Sequence, residues 1–174
     1  MRLLFEIDYK NYKENGTVGK RPSARAIIIK DNKIAMVYSK KYNYYQFPGG
    51  GIESNETKED ALIREVKEEV GLEVIKDSIK EYGIVIRKEN GKIEDIFIQE
   101  NYYYLCDVTN NILGQSLDND EIEEEFVLEF VDAKKAIETN LSNNHNGASV
   151  RDIHCFERQV KLINILLDEG IIKK

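Results

Sequence analysis

The sequence predicts an α+β fold, an α/β/α sandwich with a mixed β-sheet between helices. Three observations carry this. Short β-branched and aromatic runs recur between turn signals along most of the 174 residues. Residues 57–70 and 149–168 repeat apolar side chains at steps of three and four, as helices with one buried face do. A hydrophobic content of 41% gives a chain of this length an adequate core.

Residues 1–8 read as a short strand, and the polar stretch 11–21, with Gly16 and Gly19, as a loop. A β-branched run at 24–29, a turn at Asp31-Asn32-Lys33 and a second run at 34–38 predict a hairpin. Residues 42–47 lead into Phe47-Pro48-Gly49-Gly50-Gly51, where three glycines let the backbone turn close to a ligand. Thr57 caps a helix with Asp60 in its first turn, residues 61–70 contain no Gly or Pro, and Gly71 ends it. Residues 73–75 and 82–87 follow as strands. The turn Asn90-Gly91 and the alternating run 93–108 predict a second hairpin. Residues 110–125 read as an acidic loop, 126–131 as a strand and 132–138 as a short helix. Residues 141–147 are a Ser/Asn-rich loop. Ser149-x-x-Asp152 caps a last helix with apolar positions Ile153, Phe156, Val160, Ile163 and Leu167, ended by Gly170.

The helix at 57–70 carries the chemistry. At about 100° per residue, Leu62, Ile63, Val66 and Val70 share one arc and should pack on a sheet. Glu65, Glu68 and Glu69 share the adjacent arc, because i, i+3 and i+4 lie on one face. Three neighbouring carboxylates raise one another's pKa unless a cation neutralises them. Hard oxygen donors suit Mg²⁺ or Mn²⁺ rather than Zn²⁺. Magnesium takes few carboxylates and completes its shell with water and phosphate oxygens. The acidic arc therefore reads as half a site, with a pyrophosphate group as the other half.

The wider spacing is G-x5-E-x7-R-E-U-x-E-E-x-G-U, where U is bulky and apolar. It is filled by Gly50, Glu56, Arg64, Glu65, Val66, Glu68, Glu69, Gly71 and Leu72 without a mismatch. This resembles the signature of the Nudix hydrolases, the MutT-like superfamily. The resemblance is strict over residues 50–72 and looser over about 21–138. It implies a Nudix fold over one domain, 1–174, to which 1–20 add a strand segment and 149–168 a C-terminal helix. It implies metal ligation by Glu65, Glu68, Glu69 and the Gly49 carbonyl. One glutamate, Glu65, or an acid of a later loop, would be the base on water; Arg64 and Glu56 would orient the acids. Arg25 lies on an early strand, where this fold often contacts substrate.

Marks of individual subfamilies are missing. With Pro22 and Pro48 as its two prolines, the chain lacks the proline that ADP-ribose hydrolases often carry after the box. Lys88, Glu89 and Asn90 stand where dinucleoside polyphosphate hydrolases often have a tyrosine, and the coenzyme A and NADH signatures are absent. What remains is a MutT-like nucleoside triphosphate pyrophosphohydrolase, with oxidised nucleotides in scope. The alternatives are an ADP-ribose or nucleotide-sugar pyrophosphatase and a nucleotide sensor without catalysis.

Charge and composition bound the partners. A net charge of −7 argues against a nucleic acid polymer and leaves a small-molecule nucleotide that arrives with its cation. Residues 1–5 are followed at once by charge, so no leader or membrane span is read. Cys106 and Cys155 make no metal spacing, which suits a reduced, cytoplasmic setting. Alternation sends Tyr103 to one sheet face and Tyr102 and Tyr104 to the other, mostly for packing. Lys40 and Lys41 could meet phosphate, although a solvated role suits them and Arg25 equally. One acid among Glu121, Glu123, Glu124 and Glu125 could enter the site. His145 and His154 have no partner motif. A Tyr-rich strand and the N-terminal segment could support a homodimer.

Overall fold

A computed structural model describes residues 1–142 and 147–173. The predicted loop at 141–147 and His145 therefore lie largely outside the described residues. The elements run β1 (Leu3–Asp8), β2 (Val18–Ile27), β3 (Ile29–Lys30), β4 (Lys33–Ser39), β5 (Tyr44–Gln46), β6 (Gly49–Gly51), α1 (Lys58–Val70), β7 (Leu72–Val74), β8 (Lys80–Glu89), β9 (Ile96–Leu105), β10 (Val108–Ile112), α2 (Asn119–Glu123), β11 (Phe126–Val131), α3 (Ala133–Ser142) and α4 (Val150–Asp168).

The main sheet is mixed, in the order β1-β8-β9-β2-β6. β1 runs parallel to β8 and β2 parallel to β9, while β8–β9 and β2–β6 are antiparallel. A second sheet has the order β11-β4-β3, with β5 also on β4. β10 and β7 form a short ribbon. Alternation along β2 divides the core. Ala24 and Ala26 join Leu62, Val66 and Val70 of α1 in one apolar cluster. Ile27 joins Ala136 of α3 and Leu162, Ile163 and Leu166 of α4 in the other. Helices thus cover both faces, as the α/β/α expectation requires. Tyr104 and Tyr103 divide between the same two clusters, the predicted alternation. Each large apolar side chain so buried stabilises the fold by roughly 1.5–3 kcal/mol. Among the described residues no helix is long and apolar enough to cross a membrane.

Several local expectations are corrected. The predicted loop at 11–21 ends at Val18, where β2 begins, because residues 18–21 find backbone partners on β9. The run 24–29 does not pair as one strand of a hairpin. It breaks after Ile27, and the hairpin across the Asp31–Asn32 turn is short: Ile29 and Lys30 pair with β4, and the Ile28 carbonyl accepts the Ala35 N–H at 2.9 Å. The link between β8 and β9 is the six-residue segment 90–95 rather than a two-residue turn. The acidic stretch 110–125 contains the end of β10 and the short helix α2, whose Asp118 forms a reciprocal capping box with Glu121. α3 runs four residues past the predicted helix end, to Ser142.

Candidate active site

The site grows from how α1 begins and ends. Thr57 Oγ1 accepts the Asp60 N–H at 3.1 Å and fixes the first turn. Gly71 takes the left-handed conformation at φ 65° and returns its N–H to the Lys67 carbonyl, which stops the helix. Between these caps the apolar arc joins the cluster on the sheet, and Glu65 and Glu69 of the acidic arc meet the strand end where β6 meets β2. Glu68 is more exposed, and it, Glu56 and Arg64 lie outside the lining of the cleft there. Gly49 adopts φ 136°, and a Cβ there would sit 2.1 Å from the Ala24 carbonyl oxygen. Only glycine lets β6 lie so close to β2. A Cβ on Gly50 would fall 2.4 Å from Glu65 Oε2, so its absence makes the room that the Glu65 carboxylate occupies.

Arg64 ties the acids together. Its Nε and NH2 hold both oxygens of Glu56, at 3.1 and 2.6 Å. Its NH1 donates to Glu65 at 2.8 Å and to Glu68 at 3.1 Å, and its NH2 also reaches the Gly51 carbonyl at 3.0 Å. The planar guanidinium fork suits this many partners where a lysine would not. The Arg64 pairing holds the Glu56 carboxyl below the usual carboxylate range. Glu69 is buried behind them at 4% exposure and accepts the Gly49 N–H at 2.6 Å. Burial pushes its carboxyl up to about 8, against the pull of Arg25 and the Gly49 N–H. Burial also raises the Glu65 carboxyl, with Arg64 opposing.

Glu65, Glu69 and Gly49–Gly51 line a cleft of about 260 Å³, together with Arg21, Arg25, Gln46, Glu121 and Glu124 among others. Arg25 is not a solvated surface residue. It is 7% exposed and donates to the Phe47 carbonyl at 2.9 Å and to Asn101 Oδ1 at 3.2 Å. Desolvation and the nearby Arg158 lower its pKa. Lys40 and Lys41 do not line the cleft; Lys41 pairs with Glu123 instead. His154 contacts Glu89 at 2.6 Å and stacks on Tyr9, also outside this cleft.

Glu121 enters from the acidic run by a route that the loop reading missed. The segment after β10 is tied to the end of α1, with the Leu113 N–H on the Gly71 carbonyl at 2.7 Å and the Ser116 N–H on the Glu68 carbonyl at 2.9 Å. These bonds dock α2 beside the acids. Burial raises the Glu121 carboxyl, and Asp118, Glu65 and Glu68 push it further. The D-x-x-E pattern at 118–121 is a capping-box signal and could have revealed the helix. Tyr44, close before the glycine turn in sequence, also lines the cleft, and so do Arg21, Cys155 and Phe156, which only the fold brings there.

Among the described residues no three carboxylate, imidazole or thiol groups form a ready-made cation cage. Yet several hard oxygen donors share one open cleft, and three of them have raised pKa values that a cation would reverse. Such a set fits a hard divalent ion that keeps waters and shares phosphate oxygens. It does not fit a closed tetrahedral zinc site.

The NUDIX domain profile matches residues 19–150. An 8-oxo-dGTP diphosphatase of Buchnera aphidicola is 34% identical over 93 residues, covering 45% of this chain and 69% of the relative. An RNA pyrophosphohydrolase of a Marinomonas species is 46% identical over 57 residues, covering 32% of this chain; the match spans about a third, 35%, of the relative's length. The crystal structure of a MutT NUDIX hydrolase from Burkholderia pseudomallei superposes with a TM-score of 0.53 at 16% identity, over 82% of this chain and 98% of that one. That likeness speaks for the fold. With the profile match over most of its length and an unbroken glutamate box on α1, this chain belongs to the Nudix family of phosphoanhydride hydrolases.

Proposed function

We propose that this protein hydrolyses a nucleoside diphosphate derivative with Mg²⁺ or Mn²⁺ held by Glu65, Glu68, Glu69 and the Gly49 carbonyl. The observation that supports it best is the Arg64 clamp, which ties Glu56 and Glu68 to Glu65, while Glu65 and buried Glu69 line one cleft. The cation supplies charge neutralisation on the diphosphate and a more acidic water. Glu65 takes the proton from the attacking water; Glu121 is the alternative base. The water oxygen bonds to phosphorus as the bond to the bridging oxygen breaks, and the leaving phosphate keeps the electron pair. Arg64 keeps Glu65 and Glu68 aimed, and Glu56 keeps Arg64 aimed. Arg25 lies at the cleft to meet a phosphate oxygen and holds the Phe47 carbonyl at the start of the glycine turn.

For substrate, the 8-oxo-dGTP diphosphatase relative supports a MutT-like nucleoside triphosphate pyrophosphohydrolase, releasing a monophosphate and pyrophosphate. The full carboxylate set favours hydrolysis over sensing alone. A screen of normal and oxidised nucleoside triphosphates, ADP-ribose, nucleotide sugars and dinucleoside polyphosphates with Mg²⁺ tests this. Glu69→Gln and Glu65→Gln are expected to lower the rate by about 10²–10⁴-fold with the fold intact by circular dichroism. Unchanged turnover in both would sink the assignment. The RNA pyrophosphohydrolase relatives favour a second reading, a 5′-triphosphorylated RNA end. Filter binding with single-stranded RNA tests it, and absence of retention returns the substrate to mononucleotides. Two free thiols, Cys106 and Cys155, suit a reducing, cytoplasmic compartment.

A further inference from the structure

A second cavity, of about 320 Å³, adjoins the hydrolytic cleft and shares Arg21 with it. Its walls are Arg21, Arg87, Lys92, Glu94, Phe97 and Gln99. The register explains the grouping. Arg21 on β2 faces Gln99 on β9, and Gln99 faces Arg87 on β8, so one row across three strands makes the floor. Arg87 and Gln99 are buried, at 3% and 7% exposure. Arg87 is fixed by Glu89 at 3.4 Å and by Cys155 Sγ at 2.9 Å, and Gln99 accepts from Arg158 at 3.1 Å. Arg21 and Lys92 make no ion pair or side-chain hydrogen bond among the described residues. The Arg21 guanidinium lies over Gly51, its NH2 3.2 Å from where a Cβ would be, at the junction of the two cavities.

The two cavities have opposite electrostatics. The hydrolytic cleft sets five acids, Glu65, Glu69, Asp118, Glu121 and Glu124, against two arginines, and so calls for a divalent cation before an anion can enter. Its neighbour sets Arg21, Lys92 and the Glu89-paired Arg87 against Glu94, which leaves positive charge in excess, and can take an anion directly. We infer that the second cavity holds a phosphate group remote from the hydrolysed anhydride. The substrate class is then a nucleoside di- or triphosphate derivative that carries a further phosphate, with Phe97 as an apolar wall beside it. This rests on the hydrolase function proposed above and adds which derivatives that site selects. A 3′-phosphate on a mononucleotide and the first internucleotide phosphate of a 5′-triphosphorylated chain present the same chemistry.

Matched pairs test it. One pair is ADP against adenosine 3′-phosphate 5′-diphosphate; the other is a nucleoside triphosphate against a 5′-triphosphorylated dinucleotide. The expected result is a kcat/KM at least about tenfold higher for the phosphate-bearing member of one pair, the scale of one or two charge-assisted hydrogen bonds. The pair that responds names the source of the phosphate. Lys92→Gln should shrink that preference to about threefold or less, while Lys134→Gln on α3 keeps it. No preference in either pair, or a preference that Lys92→Gln leaves intact, overturns the inference. If nothing is hydrolysed, the hydrolase function fails and the subsite is read by titration calorimetry in EDTA with the same ligands. There the phosphate-bearing members should bind about tenfold more tightly without metal, and equal affinities overturn the inference on their own.

Discussion

Glu65 sits where it does because Gly50 has no side chain. A methyl group there would overlap its carboxylate, which lies 2.4–2.6 Å from the ideal Cβ position. Gly50→Ala is therefore expected to turn Glu65 out of the cleft and lower kcat/KM by about 100-fold, the usual scale for a misplaced catalytic group. Thermal melting should move little, because the displaced group is a partly exposed side chain rather than core. A normal rate in this variant would show that Glu65 is not the working base. Arg64 illustrates the complementary case, a residue whose value is its shape. Its contacts to Glu56, Glu65, Glu68 and Gly51 use the whole fork, so a positive charge alone does not replace it.

At the scale of elements, the caps of α1 decide whether the acids meet the glycine turn. Thr57 closes the first turn through Asp60, and Gly71 closes the last. Thr57→Ala should cost about 1 kcal/mol of stability by urea titration. Because the acids begin two turns later, their relative positions persist, and kcat/KM should stay within about threefold of the parent. A larger loss of activity than of stability would mean that the cap also sets the tilt of α1 over the cleft. α2 is the element that the acidic stretch concealed. Its sequence offered an acidic run, which reads as solvated by default, and a D-x-x-E capping pattern, which is short. The bonds from residues 113 and 116 to the last turn of α1 decide that it forms beside the site.

At the scale of the whole molecule, stability rests on two apolar clusters on opposite faces of the strands. Cys106 belongs to the α1 side, and burial pushes its thiol up to about 12. A group raised in the folded state contributes fully below its unfolded pKa of about 8.5 and loses that contribution as pH climbs toward the folded value. Tyr45, raised to about 12 chiefly by burial, acts in the same direction from the other cluster. Stability by urea titration should therefore fall as pH climbs from about 8.5 toward about 12, and Cys106→Ala should flatten that fall. In the same frame, Cys106 should resist a thiol reagent at pH 8 until the protein unfolds. Rapid labelling of native Cys106 would contradict the burial.

The sequence by itself determined how the side chains of α1 are arranged. A helix converts spacing into faces without help from the rest of the chain, so Glu65, Glu68 and Glu69 on one arc, their Arg64 neighbour and the flanking glycines were legible in order. It also determined the strand at residues 126–131 and the division of Tyr103 from Tyr104, since alternation is equally local. Pairing was not local. That β2 begins at Val18 and runs parallel to β9 follows from backbone partners some 78 residues away, and that pairing puts Arg21, Gln99 and Arg87 in one row. The burial of Arg25, the arrival of Glu121 and the basic cavity beside an acidic one were likewise decided by which surfaces met, because desolvation and charge proximity exist only once distant segments are packed together.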